Sequence, residues 1–206
     1  MRYRLFIFDF DGTLADSAPW MGVALHRAAA KLGFRQLSAE EMEALRGRDS
    51  RAVFQSLCVP PERLPELVTI IRELARDELN APLFPGIADM LRSLHAASAR
   101  IAVVTSNSEP PVRRALGPEL EALISDFNCD APMFGKAAKF AETMARVGVG
   151  AAETLSVGDE TRDIDAAREL GVATCAVPWG YATLDVLQAL KPDHVIASAA
   201  EIAALV

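Results

Sequence analysis

The chain has little cysteine and little histidine, three of each in 206 residues. Cys58, Cys129 and Cys175 are widely separated, odd in number and form no C-x-x-C pair. Such a set speaks against a disulfide framework or a thiolate metal site and fits a reduced, cytoplasmic protein. His26, His95 and His194 show no ligand spacing. Only four apolar residues follow Met1-Arg2-Tyr3-Arg4 before Asp9, too few for a signal-peptide core. No run approaches membrane-spanning length, so no membrane partner is expected. Positive charge is also short, with 21 basic against 28 acidic residues and a formal charge of -7. A sequence-independent nucleic-acid binder needs a basic face, and that class is excluded. What remains is the composition of an ordinary globular protein, 51% apolar and 24% charged, long enough for a sizeable core.

Short apolar runs ending in polar residues recur along the chain. Leu5-Phe6-Ile7-Phe8 runs into Asp9, Ile101-Ala102-Val103-Val104 into Thr105-Ser106-Asn107-Ser108, and Leu155-Ser156-Val157 into Gly158-Asp159. Leu123-Ile124 before Asp126 is a weaker candidate, Val172 to Val177 a further one, and His194-Val195-Ile196 reads as an edge strand. Helical patterns at 87–97, 109–116, 136–147, 162–170, 183–190 and 199–205 alternate with these runs. That alternation predicts an α/β fold, a Rossmann-like parallel sheet with helices on both faces. A ligand site then lies beyond the carboxyl ends of the strands, where the polar residues cluster.

Residues 16–84 interrupt the pattern with helical segments near 18–32, 38–46, 50–57 and 61–80. Ser38 with Glu41 predicts a capping box, and Pro61 suits a first helical turn. The expected organisation is a catalytic core of residues 1–15 and 85–206 with a helical cap inserted at 16–84. The core carries 12 basic and 18 acidic residues, the insert 9 and 10, so the acidity belongs mainly to the core.

Asp9-Phe10-Asp11-Gly12-Thr13-Leu14 places two carboxylates at a strand end, with Gly12 predicting a turn that aims them at different sides of one centre. Turn or capping aspartates are the bland alternative. Asp159 and Asp163, four apart at another strand end, bring further hard oxygen ligands of the kind Mg²⁺ prefers. Asp163 also suits a helix N-terminus electrostatically. Thr105, Ser106 and Asn107 offer donors for a phosphate cradle. Gly135-Lys136 lacks the rest of a P-loop, and Gly148-Val149-Gly150 precedes a strand rather than following one, so neither is a nucleotide fingerprint.

Asp9 through Ser17 resembles the first motif of the haloacid dehalogenase superfamily, in its phosphatase branch. Thr105-Ser106 is similar to the second motif, Lys136 to the third, and Gly158-Asp159 through Asp163 to the fourth. The set spans the chain in the family's order, and phosphoglycolate-phosphatase-like members match best. The resemblance implies a Mg²⁺-dependent phosphatase acting on a small phosphorylated metabolite, as a monomer or homodimer. By the same resemblance Asp9 is the nucleophile and Asp11 the acid and base. Asp9, the Asp11 carbonyl, Asp159 and Asp163 attend the metal. Thr105, Gly12, Ser106 and Asn107 face the phosphoryl group, and Lys136 offsets charge. Ala137 stands where many relatives have proline, which leaves Lys139 as a competitor, and Glu160 is a second acidic candidate beside Asp159. Arg48, with Arg46 as the alternative, is a candidate for reading a second anionic group. Asp11 argues against a dehalogenase, and Gly158-Asp159 against a phosphomutase. A phosphonate hydrolase would need Lys31, the one lysine of the insert. A non-catalytic module on the same fold is the alternative from another class.

Overall fold

The computed structural model describes residues 2–45, 50–131 and 135–206. Arg46 and Arg48, candidates for substrate choice, lie outside the described residues. In chain order the elements are β1 (Leu5–Phe8), α1 (Ala18–Leu32), α2 (Ala39–Ala44), α3 (Ser50–Ser56), a short 3₁₀ turn at Pro61–Arg63 and α4 (Leu64–Glu78). Then follow α5 (Ile87–Ala96), β2 (Arg100–Val104), α6 (Glu109–Glu121), β3 (Asp126–Asn128) and α7 (Ala137–Val147). The chain ends with β4 (Thr154–Gly158), α8 (Thr161–Glu169), β5 (Ala173–Ala176), α9 (Leu184–Ala189), β6 (His194–Val195) and α10 (Ala199–Ala203).

The six strands form one sheet in the order β3-β2-β1-β4-β5-β6, and every pairing is parallel. Strand β1 sits between β2 and β4, so all four of its side chains are buried and the sequence there has no polar alternation. Phe6 and Phe8 face one side, packing with Met90, Leu91 and Leu94 of α5 and Val112 and Leu116 of α6. Leu5 and Ile7 face the other, with Phe140 of α7 and Ala166 and Ala167 of α8. Helices therefore cover both faces, as the alternating pattern predicts.

The third strand differs from expectation. It falls at Asp126–Asn128, not at Leu123-Ile124. Residues 122–124 instead close the end of α6, where Ala122, Leu123 and Ile124 N–H groups bond back to Pro118, Leu120 and Glu121. The apolarity of Leu123 and Ile124 marks packing against the core, not a strand. Helix α6 also runs beyond the predicted 109–116, but with a kink at Gly117, whose φ of 68° and ψ of 168° break the helix before Pro118. The capping box forms as the spacing predicts, with the Ser38 hydroxyl accepting from Glu41 N–H and Glu41 accepting from Ser38 N–H.

Helices α1, α3 and α4 enclose a second apolar cluster of Leu25, Ala28, Ala29, Leu37, Phe54, Leu57, Leu67 and Ile70. Helix α4 belongs to two cores. Leu67 and Ile70 lie in this cluster, whereas Ala75, Leu79 and the following Ala81 bury with the sheet-face residues. Among the described residues, no helix is long and apolar enough to cross a membrane. Leu67 is 0% exposed, so Leu67→Ala is expected to cost about 2–5 kcal/mol. Urea denaturation checks this, and a loss below about 1 kcal/mol would mean that the cluster collapses around the gap.

Candidate active site

Strand order reverses between β1 and β4, and the residues following these two strands share one crevice. Asp9 extends β1 by one bond, its N–H donating to Val157 O at 3.0 Å. The chain then turns sharply. The N–H groups of Thr13, Leu14 and Ala15 all point to Phe10 O, and Gly12 takes a φ of 77°. Glycine is required there for a second reason, since a Cβ would lie 2.3 Å from Asp159 Oδ2. The turn is thus shaped around the carboxylate of another strand.

Four aspartates and two cations meet at this edge. Asp9, Asp159 and Asp163 are buried and each offers an oxygen within 4.8 Å of the others. The Lys136 ammonium lies 2.7 Å from Asp163 Oδ1 and 2.9 Å from Asp9 Oδ1. The contact to Asp9 is a charge pairing outside hydrogen-bond geometry, so both Asp9 oxygens are buried without a donor. Asp163 also accepts from Glu160 N–H through Oδ2 at 3.2 Å, capping α8 while it holds Lys136. Asp163 thus stands both in the acidic cluster and at the start of α8.

Asp159 is held from two sides. The Thr13 hydroxyl donates to Oδ1 at 2.7 Å and Tyr181 N–H to Oδ2 at 2.7 Å. Asp11 projects elsewhere, accepting from Asn107 Nδ2 at 3.3 Å while its Oδ1 has no partner. Its carboxylate is not part of the Asp9–Asp159–Asp163 set. Thr105 is buried at the end of β2, and its hydroxyl accepts from Asn107 N–H at 3.1 Å, which leaves its own proton to donate. Ser106 follows, half-buried. Lys139, the competing lysine, is more exposed and sits 3.5 Å from Glu142. Glu160 pairs with Arg162 and is not one of the three carboxylates of the metal-type cluster.

The electrostatics are those of excess buried negative charge. Burial first, then the Asp9 charge, raise the Asp11 carboxyl to about 6. Burial, followed by Glu160, Asp9 and Asp163, pushes Asp159 well above the usual carboxylate range. Burial works against the Lys136 charge, but Asp163 and Asp9 outweigh it and its pKa rises. The donor set is hard oxygen throughout, and neither Asp9 oxygen accepts a hydrogen bond, so the residues fit a divalent cation such as Mg²⁺.

Several residues here escaped the sequence reading. Arg162 lies 3.9 Å from Asp9 Oδ2 and pairs with Glu160. Gly180 and Tyr181 close over Asp159, and the Tyr181 hydroxyl meets Ser17 Oγ at 2.9 Å. Trp179 Nε1 donates to Thr13 O at 3.1 Å. For Trp179, Gly180 and Tyr181 the signal was their place after β5, the strand next to β4, where a Pro-Trp-Gly turn again meets the functional edge of the sheet.

A Cβ on Gly180 would lie 2.1 Å from Asp159 Oδ2 and 2.3 Å from Gly12 O, whereas one on Gly150 meets nothing within 4 Å. Gly180→Ala is expected to lose about 1–3 kcal/mol, a fall in Tm of several degrees, and Gly150→Ala to change little. Equal Tm values for the two variants would contradict this packing.

A family model described as haloacid dehalogenase-like hydrolase matches residues 6–177. A phosphoglycolate phosphatase from Synechococcus elongatus is 33% identical over 192 residues, covering 92% of this chain and 91% of the relative. One from Vibrio vulnificus is 30% identical, covering 97% and 94%. The solved structure of a haloacid dehalogenase-like family hydrolase from Streptococcus pneumoniae superimposes with a TM-score of 0.81 at 23% identity, covering 98% of both chains. With strand order, crevice and family model in agreement, the chain belongs to the haloacid dehalogenase-like hydrolases.

Proposed function

We propose that this hydrolase is a Mg²⁺-dependent phosphatase that cleaves a small phosphorylated metabolite, of the phosphoglycolate kind, through an aspartyl-phosphate. The observation that carries the reading is the Asp9 carboxylate, buried with both oxygens free of hydrogen-bond donors beside Lys136. A carboxylate in this position can serve as the nucleophile that splits phosphoryl transfer into two steps. Relatives named phosphoglycolate phosphatase, at about one third identity over nearly the whole chain, support the substrate class.

In this mechanism an Asp9 oxygen attacks phosphorus and the bond to the leaving oxygen breaks. Asp11, held near a pKa of about 6, gives its proton to that oxygen. It then takes a proton from water, which attacks phosphorus and expels the Asp9 carboxylate. Thr105 donates its hydroxyl proton to the phosphoryl oxygens, with backbone N–H groups around Gly12 and Ser106 and the Asn107 side chain close by. Lys136 offsets the charge that gathers on nucleophile and phosphate. Asp9, Asp159 and Asp163 would hold Mg²⁺, with the Asp11 carbonyl completing the protein's share. The bound ion would supply charge compensation that lets an anionic substrate approach a carboxylate.

Residues 16–84 would act as the cap over this site, and substrate choice would reside there. Ser17, which begins the segment's first helix, already reaches Tyr181 in the crevice. Lys31 is exposed at the other end of the same 15-residue helix, roughly 20 Å away at 1.5 Å per residue, which disfavours Schiff-base chemistry.

The test is phosphate release from phosphoglycolate and a panel of small phosphate monoesters, with and without Mg²⁺. Release is expected only with the ion, and absence of release across the panel would refute the reading. Asp9→Asn should lower kcat by at least about a thousandfold. Asp11→Asn should lower it by about 10²–10⁴. An Asp9→Asn enzyme at the wild-type rate would remove the nucleophile assignment.

A further inference from the structure

One arginine of the helical insert reaches the strand-end loop that carries Thr105. Arg72 projects from α4, a helix fixed on either side of it by Ile70 and Ala75 in two apolar clusters. Its Nε donates to Ser106 O at 3.2 Å and its Nη2 to Ala131 O at 3.0 Å. Ser106 and Ala131 belong to different loops, which follow β2 and β3. Two backbone bonds already tie these loops, Ala131 N–H to Thr105 O at 2.9 Å and Asp130 N–H to Asn107 O at 2.8 Å. The guanidinium fork thus closes a ring around the segment 105–107. Ala131 is 0% exposed, and Arg72 supplies its carbonyl with a hydrogen-bond donor. The same segment orients two groups of the crevice, the Thr105 hydroxyl and the Asn107 amide that contacts Asp11.

We infer that Arg72 is a positioning residue: it sets the Thr105–Asn107 loop for a phosphoryl group and couples the helical insert to that loop. The inference rests on the phosphatase reading of the same site. The geometry suits arginine and not lysine, because one planar fork must serve two carbonyls in different directions. A second arginine separates this role from simple docking. Arg114 of α6 donates to the carbonyls of Leu79 at 3.2 Å and Arg76 at 2.9 Å, fastening the end of α4 to the core without touching the 105–107 segment. Arg114 joins the two parts of the molecule mechanically. Arg72 joins them through the candidate phosphate loop.

The experiment compares Arg72→Ala, Arg72→Lys and Arg114→Ala with the unaltered protein. The readouts are Tm, the Kd for inorganic phosphate in the presence of Mg²⁺, and kcat and KM on an aryl phosphate. Arg72→Ala should weaken phosphate binding at least about fivefold, through loss of a half-buried hydrogen-bonded clip. Its kcat should fall at least about tenfold through misplacement of the loop. Arg72→Lys should recover only part of both. Arg114→Ala should lower Tm as much as Arg72→Ala does, yet leave the phosphate Kd within about twofold. Wild-type Kd and kcat in Arg72→Ala, or equal losses in Arg114→Ala, would overturn the inference. So would an unaltered protein that does not bind phosphate. If it binds phosphate but hydrolyses no ester, the phosphatase reading fails, while the phosphate Kd still decides the role of Arg72. If Arg72→Ala does not fold, Arg72→Lys decides, with a wild-type Kd and kcat counting against the inference.

Discussion

Excess negative charge, buried at the carboxyl edge of a parallel sheet, is the constraint around which this molecule is arranged. Asp9, Asp11, Asp159 and Asp163 are all under 10% exposed, and the buried Lys136 faces two of them. Carboxylates in such a setting must be protonated, hydrogen-bonded or matched by a cation. The fold uses every device. Asp159 receives two hydrogen bonds, Asp163 receives Lys136 and a helix N–H, and Asp11 shifts to about 6. Asp9 alone has neither oxygen hydrogen-bonded. On the proposed reading, the one carboxylate whose oxygens accept no hydrogen bond is the nucleophile of the group.

The glycines follow from that constraint. Gly12, Gly158 and Gly180 each stand where a Cβ would come within 2.4 Å of an aspartate oxygen. Asp159 and Asp163 are thus packed against bare backbone on one side, while Thr13 and Lys136 hold them from the other. The acidic balance of the sequence has the same origin. On the proposed reading it is an asset, since a divalent cation held by Asp9, Asp159 and Asp163 would offset part of that charge for an anionic substrate.

Much of this was legible in the sequence because strand and motif coincide. Leu5 to Phe8 is apolar throughout, as a central parallel strand must be, and the carboxylates come directly after it. The order of the runs fixed the architecture, and the spacing of Asp159 and Asp163 placed both at one helix start. Strand β3 was missed because Asp126-Phe127-Asn128 is short and polar at both ends, and its preference for the sheet comes from pairing with β2. Tyr181, Gly180 and Arg72 were missed for a related reason. Their roles come from contacts over long sequence separations, such as Tyr181 with Asp159 and Arg72 with Ser106 and Ala131, and no local periodicity records them.

The central claim is that Asp9 carries the phosphoryl group during turnover. Acid quenching during steady-state hydrolysis, followed by peptide mass spectrometry, tests it directly. The account predicts one phosphoryl group on the peptide containing Asp9, released by hydroxylamine as an acyl phosphate must be. A phosphoryl group on another residue, or turnover with no modification at Asp9 under conditions that trap acyl phosphates, would contradict it.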